Sequence, residues 1–444
     1  MPRIAIIPLA ETSHYLPALE VAQGLRSAGH AIVFIGTLDF QKLVTDRGFE
    51  FIPAFPELFP EGTLHRQLSK EGPRLRSLLA RPRRAVFIWR ASRARARLQR
   101  ELLHREQHGE LSGALVKAAA PDLFLVDSFL ALVSVALTRY QKPILQFNVT
   151  LAAGESKTLP PSTYFAQPTT SSFRNALLWG RVRWQRFVAQ RLSALLGLDY
   201  QREVTALANA TAFPLSELEE RSEFALRIAL PELVLCHRAF DFPHPESPKR
   251  FYVGPCTSRG SAEPVVHLPA SLTERPLVYC AFGSQSSRFP FASAVLNLIW
   301  ESFQTQNELS LIVVVNDPSS FLRGAAHTMA IGSCNQPALL PNVALMITHG
   351  GLGSIKECIL HRVPMLAVPL GRDQPGNAAR ICYHNLGTML STKQLSRERL
   401  LATIRRTIAD STIKESLAQQ QQALLATEAE LGAVKVIAAA FAAD

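Results

Sequence analysis

Short runs of apolar, β-branched residues alternate along this chain with longer stretches in which apolar residues recur at helical spacing. Ile4 to Leu9 reads as a buried strand. Pro17 suits the first turn of a helix running to Ala28, Gly29 stops that helix, and Ala31 to Ile35 is the next strand. Strand, helix, strand is a β-α-β unit and predicts parallel pairing. The pattern returns at Asp122–Asp127 and Pro143–Asn148, and helical period runs from Phe173 to about Ala210. A proline-rich, weakly patterned stretch at 242–276 interrupts it. A second alternating set begins at Leu277: LVYCAF, a helix near Phe291–Phe303, SLIVVV, VALMI, a helix, PMLAVPL, another helix and GTMLS. The pattern predicts an α/β protein of two doubly wound parallel-sheet domains, 1–241 and 277–411, joined by a linker at 242–276 and separated by a cleft. The alanine- and glutamine-rich end, 412–444, is expected to form a helical tail that packs back on the first domain.

A length of 444 residues supports two cores rather than one. Apolar content of 47% and charged content of 19% describe an ordinary globular chain, and no apolar stretch reaches the roughly 18 residues of a membrane span. Ile4 to Ala10 is too short for a signal peptide and ends at Glu11. Six cysteines lie far apart with no C-x-x-C, which argues against a zinc site or disulfide framework and fits a cytoplasmic setting. The net charge of +11 changes the picture in one place. From Arg66 to Glu106 arginines crowd together, with Arg90, Arg93, Arg97 and Arg100 on one helical face and Phe87, Ala91, Ala94, Leu98 and Leu102 on another. The readings that stand are a solvated surface helix, or a helix that either lies against anionic lipid on the inner face of the membrane or grips an acidic acceptor. No nucleic-acid motif accompanies the charge.

The candidate chemistry gathers at the carboxyl ends of strands. The first strand-to-helix turn, PLAETSHYLP, has no glycine, so a dinucleotide fingerprint is excluded there. Instead His14 lies in that loop and Asp127 ends the strand LFLV. On one edge of a parallel sheet a carboxylate can hold a histidine as a tuned general base; separately, each reads as an idle loop residue or a helix cap. In the second domain THGGLGSIKE, Thr348 to Glu357, follows an apolar strand. Gly350, Gly351 and Gly353 allow positive φ and close approach to the backbone, and Ser354 is expected to begin a helix whose free amides suit a diphosphate. Glu357 either folds back as the second half of a capping box or accepts from a ribose diol. Asp373 and Gln374 sit at the end of PMLAVPL, where they can share sugar hydroxyls; Asp373 alone reads as a cap. Ser284, in AFGSQ, is a further phosphate-donor candidate. Phe55, Phe59, Trp89, Phe165, Phe173 and Trp184 fit either a bulky hydrophobic acceptor or simple core packing.

These motifs resemble family 1 UDP-glycosyltransferases of the GT-B fold, two Rossmann-like domains facing across a cleft. The resemblance is strongest in LLPNVALMITHGGLGSIKECILHRVPMLAVPLGRDQPGNAARI, Leu339 to Ile381, and in the opening SHYLPALEVAQGLRSAGHAIVF. PELVLCHRAFDFP…FYVGP resembles bacterial members, including the carotenoid and natural-product branch. The resemblance implies an inverting hexosyltransferase with His14 as base and Asp127 its partner. It places His349, Gly351 and Ser354 at the phosphates, Glu357 at the ribose, and Asp373 and Gln374 at the sugar, with Gln336 and Gly353 as further donor-site candidates. Plant members carry Trp-Asn where this chain has Leu352 and Gly353, so contacts that depend on that pair are not inherited. It further implies a UDP-sugar donor as co-substrate, a hydrophobic alcohol acceptor, no cofactor and no metal. Glycosylation of a membrane lipid or sterol, or sugar-nucleotide binding without transfer, are the alternatives. The chain departs from plant members at Ser333, which stands where they carry a tryptophan that stacks on uracil; this leaves a dTDP-sugar open as donor.

Overall fold

The computed structural model describes residues 2–63, 82–151, 154–169, 171–219, 223–224, 226–254, 256–257, 268–283, 286, 289, 291–321, 324–429 and 432–442. The first lobe holds β1 (Arg3–Ile7), α1 (Thr12–Ser27), β2 (Ala31–Gly36), α2 (Gln41–Thr45) and β3 (Glu50–Pro53). There follow α3 (Pro82–Gln107), α4 (Ser112–Ala119), β4 (Leu123–Asp127), α5 (Ala131–Leu137) and β5 (Ile144–Asn148). Two further helices, α6 (Ser172–Leu195) and α7 (Tyr200–Ala210), lead to a small hairpin, β6 (Leu218–Glu219) and β7 (Arg227–Ile228), then to β8 (Glu232–Val234) and β9 (Arg250–Tyr252). The second lobe runs α8 (Ala270–Thr273), β10 (Leu277–Ala281), α9 (Ala292–Gln304), β11 (Ser310–Val314), β12 (Thr328–Ile331), α10 (Gln336–Leu339), β13 (Leu345–Thr348), α11 (Leu352–His361), β14 (Met365–Ala367), α12 (Gln374–Tyr383), β15 (Gly387–Met389) and α13 (Arg397–Ala409). Two last helices follow, α14 (Ser411–Ala429) and α15 (Gly432–Ala442).

Each lobe is a parallel sheet. The first has seven strands in the order β3-β2-β1-β4-β5-β8-β9, the second six in the order β12-β11-β10-β13-β14-β15. Fully buried apolar runs such as Ile4–Ile6 and Leu345–Ile347 make the central strands, since helices cover both faces of such a sheet. Strand order reverses between β1 and β4 in one sheet and between β10 and β13 in the other. Beyond the carboxyl ends of strands at such a switch point the flanking loops diverge and leave a crevice. His14 follows β1 and Asp127 ends β4; Gly283 follows β10 and His349 follows β13. Both candidate clusters therefore occupy the one place in each sheet where topology opens a site.

Several local expectations change. α1 begins at Thr12, so His14 sits in its first turn rather than in a loop, and Pro17 falls in the second turn. β9 lies inside the proline-rich stretch 242–276 and extends the first sheet through β8. The strand is three residues long, too short for periodicity to show. At the far end Ala433 and Ile437 of α15 join the first lobe's core beside Leu19 and Val21, and Phe441 stacks on His30 at 6.1 Å. α3 presents a different face from the one expected: Leu98 is exposed, while Ala96 is buried and Leu103 packs near Val204 and Leu207 of α7. Residues 66–81 of the arginine-rich segment lie outside the described residues.

Candidate active site

His14 and Asp127 meet directly. Nδ1 of the imidazole lies 2.7 Å from Asp127 Oδ2, with the carboxylate fully buried and the histidine 6% exposed. The carboxylate is itself held: Oδ2 accepts from the Leu9 amide at 3.1 Å and Oδ1 from the Phe129 amide at 3.0 Å. Phe129 meets the His14 ring edge-on at 5.5 Å. With Nδ1 committed to the carboxylate, Nε2 is the nitrogen left to exchange a proton. Burial pulls the His14 pKa down, but the charge and hydrogen bond of Asp127, with smaller help from Glu11 and Asp373, overcome it and raise it above the ordinary 6.5.

The influence of Asp373 on His14 is felt across the cleft, because Asp373 stands at the head of α12 in the second lobe. The two lobes touch nearby. Arg372 Nη1 lies 3.4 Å from Glu11 Oε2, and the Gly376 amide donates to the Ser162 carbonyl at 2.8 Å. A Cβ on Gly376 would stand 2.5 Å from Ser162 Cα, so the close approach requires glycine. Arg380 grips buried Asp241 from two nitrogens, at 2.9 and 2.7 Å. Burial alone would raise the Asp241 pKa; the Arg380 charge reverses it and holds the carboxyl well below the carboxylate range. Glu11, Arg372 and Arg380 carried no motif in the sequence, since cross-lobe pairs have no fixed spacing.

The glycine turn after β13 differs in detail from the sequence reading. Gly350 has φ +90°, with its amide donating to Thr348 Oγ1 at 3.1 Å. Gly351 is the extended N-cap, and Gly353 is an exposed helical residue. Gly351 must lack a side chain for another reason: a Cβ there would stand 2.6 Å from His349 Nε2. The helix starts at Leu352, two residues before Ser354, and leaves the amides of its first turn without helical partners. His349 packs against Gly283 (φ +67°), and its Nδ1 has no hydrogen-bond partner among the described residues. Burial dominates its titration, opposed by the Ala281 carbonyl, and pushes the pKa down to about 4. A neutral imidazole and a row of free amides thus share one turn.

Glu357 is not a capping-box partner. It lies in the second turn of α11, and its carboxylate accepts from Gln336 Nε2, which also donates to Ser354 Oγ at 3.2 Å. Burial pushes the Glu357 carboxyl up to about 7, against the Gln336 hydrogen bond and the Lys356 charge. Asp373 does not cap α12 with its side chain; Oδ2 accepts from Asn377 Nδ2 at 2.9 Å. Asn377 Nδ2 also donates to the Gly350 carbonyl at 2.9 Å, tying the two βα turns together. Gln374 is buried, and its Oε1 accepts from the Leu370 and Gly371 amides at 2.7 and 3.0 Å, which leaves its NH₂ for a ligand. Ser284 lies outside the described residues. Ser333 is exposed. Phe165, Phe173 and Trp184 are not core residues; they are 43%, 79% and 65% exposed, and Phe173 borders an open cavity of about 1210 Å³ with Trp179 and Arg227. The structure brings His14 to Asp127, and Gln336 to Ser354 and Glu357, and it links Asp373 to the glycine turn through Asn377.

Comparison with known proteins fits this geometry. A family model described as UDP-glucoronosyl and UDP-glucosyl transferase matches residues 183–422, more than half the chain. A zeaxanthin glucosyltransferase of Pantoea ananas is 25% identical over 432 residues, 96% of this chain and 93% of that one. The calicheamicin glycosyltransferase CalG4 superposes with a TM-score of 0.64 at 18% identity, covering 100% of this chain and 98% of its own. The glycosyltransferase VinC, in complex with dTDP, gives 0.62 at 16% identity, covering 99% and 98%. The fold is the two-lobed GT-B arrangement of these structures. With two switch-point clusters set across one cleft and the family match spanning the second of them, the chain belongs to the UDP-glucuronosyl and UDP-glucosyl transferase family and is a sugar transferase.

Proposed function

We propose that the enzyme moves glucose from UDP-glucose to a hydroxyl of a hydrophobic small molecule, with inversion at the anomeric carbon. The observation that carries the proposal is the His14–Asp127 pair at the cleft, three residues from Glu11, which meets Arg372, the neighbour of Asp373, on the opposite lobe. His14 Nε2 takes the acceptor's O–H proton as that oxygen bonds to the anomeric carbon. The bond from that carbon to the diphosphate oxygen breaks, and its electrons leave with the diphosphate. Asp127 balances the charge on the imidazolium. The amides at the head of α11 and the neutral His349 take up the charge growing on the leaving group, so the proposal involves no metal and no cofactor. Asp373 and the NH₂ of Gln374 hold sugar hydroxyls, and Glu357 holds the ribose diol. The glucosyltransferase activity in the name of the Pantoea ananas relative supports glucose and a hydrophobic alcohol. No helix among the described residues is long and apolar enough to cross a membrane.

Glu357 gives a test of the donor site. A hydrogen bond to a charged group contributes about 1.5–3 kcal/mol, so Glu357→Ala should weaken UDP-glucose binding by roughly 10- to 100-fold in calorimetry. Because the carboxyl is pushed up to about 7, donor affinity in the wild type should rise as pH rises through 7 and the acceptor form appears. The whole proposal is tested by mass spectrometry after incubation with UDP-glucose and a panel of carotenoid, polyketide, flavonoid and sterol alcohols. An acceptor gaining one hexose, with free UDP released only when that acceptor is present, is the expected result. A second reading, a dTDP-sugar donor, is favoured by Ser333 at the stacking position and by the dTDP complex of VinC. Faster transfer from dTDP-glucose than from UDP-glucose in the same assay would establish it.

A further inference from the structure

α6 carries apolar residues on two opposite faces. Its inner face is anchored: Trp179 Nε1 donates to the Leu159 carbonyl at 2.9 Å, Asn175 Nδ2 to the Lys157 carbonyl at 3.0 Å, and Val182 is buried. Phe173, Leu177, Trp184, Val188, Leu192 and Leu195 lie on the other face, all exposed, Leu195 by 80%. At 3.6 residues per turn these fall in one stripe along a helix of 24 residues, about 36 Å. Phe187 flanks the stripe and stacks on Trp184 at 5.8 Å. More than half of the exposed large apolar side chains among the described residues belong to this helix. Scattered exposed leucines are ordinary; six large apolar side chains along one face of one helix, with Arg181 set between Leu177 and Trp184, are not.

The charges beside the row decide what covers it. Arg174, Arg181, Arg183, Arg186 and Arg191 lie along α6, and the helix has no Asp or Glu. Arg183 pairs with Glu155, while Arg174, Arg181 and Arg191 are exposed, the last with its guanidinium 5.1 Å over the Phe187 ring. A second copy of this chain would set one basic helix against another, with no Asp or Glu on either helix to pair the arginines. An anionic lipid surface satisfies both halves of the pattern. Leucines and aromatic rings enter the acyl boundary, and guanidinium groups meet phosphates. α3, with exposed Arg97 and Arg100, packs on the same helix α7 as α6 does and adds to the positive field.

We propose that α6 lies flat on an anionic bilayer and docks the first lobe there. The lipid contact that one reading of the sequence gave to α3 is placed here on α6, whose exposed apolar row is the longer of the two among the described residues. The inner face of α6 holds segment 157–163, whose Ser162 carbonyl receives the Gly376 amide at the head of α12. Docking therefore sets the membrane on a flank that also borders the cleft.

The test uses the full chain with vesicles of phosphatidylcholine plus phosphatidylglycerol, against phosphatidylcholine alone, at low and high salt. Co-sedimentation with the anionic vesicles, fading with salt, is expected, with a blue shift of tryptophan emission that Trp184→Phe removes. Trp184→Ser with Leu192→Ser should lower partitioning roughly tenfold or more, and Arg181→Gln with Arg191→Gln should lower it on anionic vesicles only. All four side chains are exposed, so an unchanged urea midpoint is expected alongside. Recovery of the wild type in the supernatant at low salt, or binding indifferent to the Trp184/Leu192 pair, would overturn the proposal. So would a concentration-dependent dimer that the same pair abolishes, which would assign the face to a second copy. Vesicle binding is read without sugar transfer, so its outcome is independent of the reaction proposed above.

Discussion

His14→Ala should lower kcat by roughly 10²- to 10⁴-fold, about 3–5 kcal/mol of barrier, while leaving UDP-glucose affinity unchanged. The size is that of a general base acting on a hydroxyl whose own pKa leaves it protonated. The split follows from the proposed arrangement: His14 stands in the first lobe, to which the proposal gives the acceptor, and the proposed donor contacts stand on α11 and α12. Asp127 is a poor substitute, since it is fully buried and bonded to the amides of Leu9 and Phe129. Steady-state rates with calorimetry of donor binding check both halves. Wild-type turnover in His14→Ala would remove the base from the account.

His349→Ala is the second large effect expected, a loss of about 10²- to 10³-fold in kcat, the usual size for one preorganised donor to a growing anion. Burial holds His349 neutral between pH 5 and 8, so the proposed role rests on its single ring N–H rather than on a charge. Its place is fixed by glycines on two sides, Gly283 and Gly351, where any Cβ would press on the ring. Because the leaving diphosphate gains charge only as the bond breaks, the loss should appear mainly in kcat and less in donor KM. An equal loss in donor affinity alone would assign His349 to ground-state binding. Free UDP release, followed at saturating acceptor and varied donor, separates the two.

What the sequence disclosed and what it hid follow from range. Leu345–Thr348, the glycine turn and α11 are contiguous, so strand, turn and helix were legible in one window, although the helix starts at Leu352 rather than at Ser354. Asp127 and His14 were legible as strand-end residues, since alternation of strand and helix puts such ends on one edge. Conformations within the turn were not: three glycines suggested three positive φ values, yet only Gly350 has one, and Gly351 is glycine because His349 leaves no room for a Cβ. Asn377 was missed because its role depends on two turns meeting in space. The packing face of α3 was misjudged: Leu98 is exposed, while Ala96 is buried and Leu103 is the residue that packs by α7. α6 hid its exposed row because apolar residues on both faces blur the helical period that sequence reading relies on. β9 was hidden by the prolines around it.

The central claim is that His14 is a base tuned by Asp127. Its most direct test is the pH dependence of kcat/KM for the acceptor, measured at saturating donor so that titration of Glu357 drops out. A base must be unprotonated to act, so the rate should rise with pH along an acid limb whose midpoint is the His14 pKa, above the ordinary 6.5. Asp127→Asn removes the main group that raises that pKa and leaves the burial that lowers it, so the limb should move to lower pH as the maximum rate falls. Limbs that coincide in wild type and Asp127→Asn, or an acid limb that survives unchanged in His14→Ala, would contradict it.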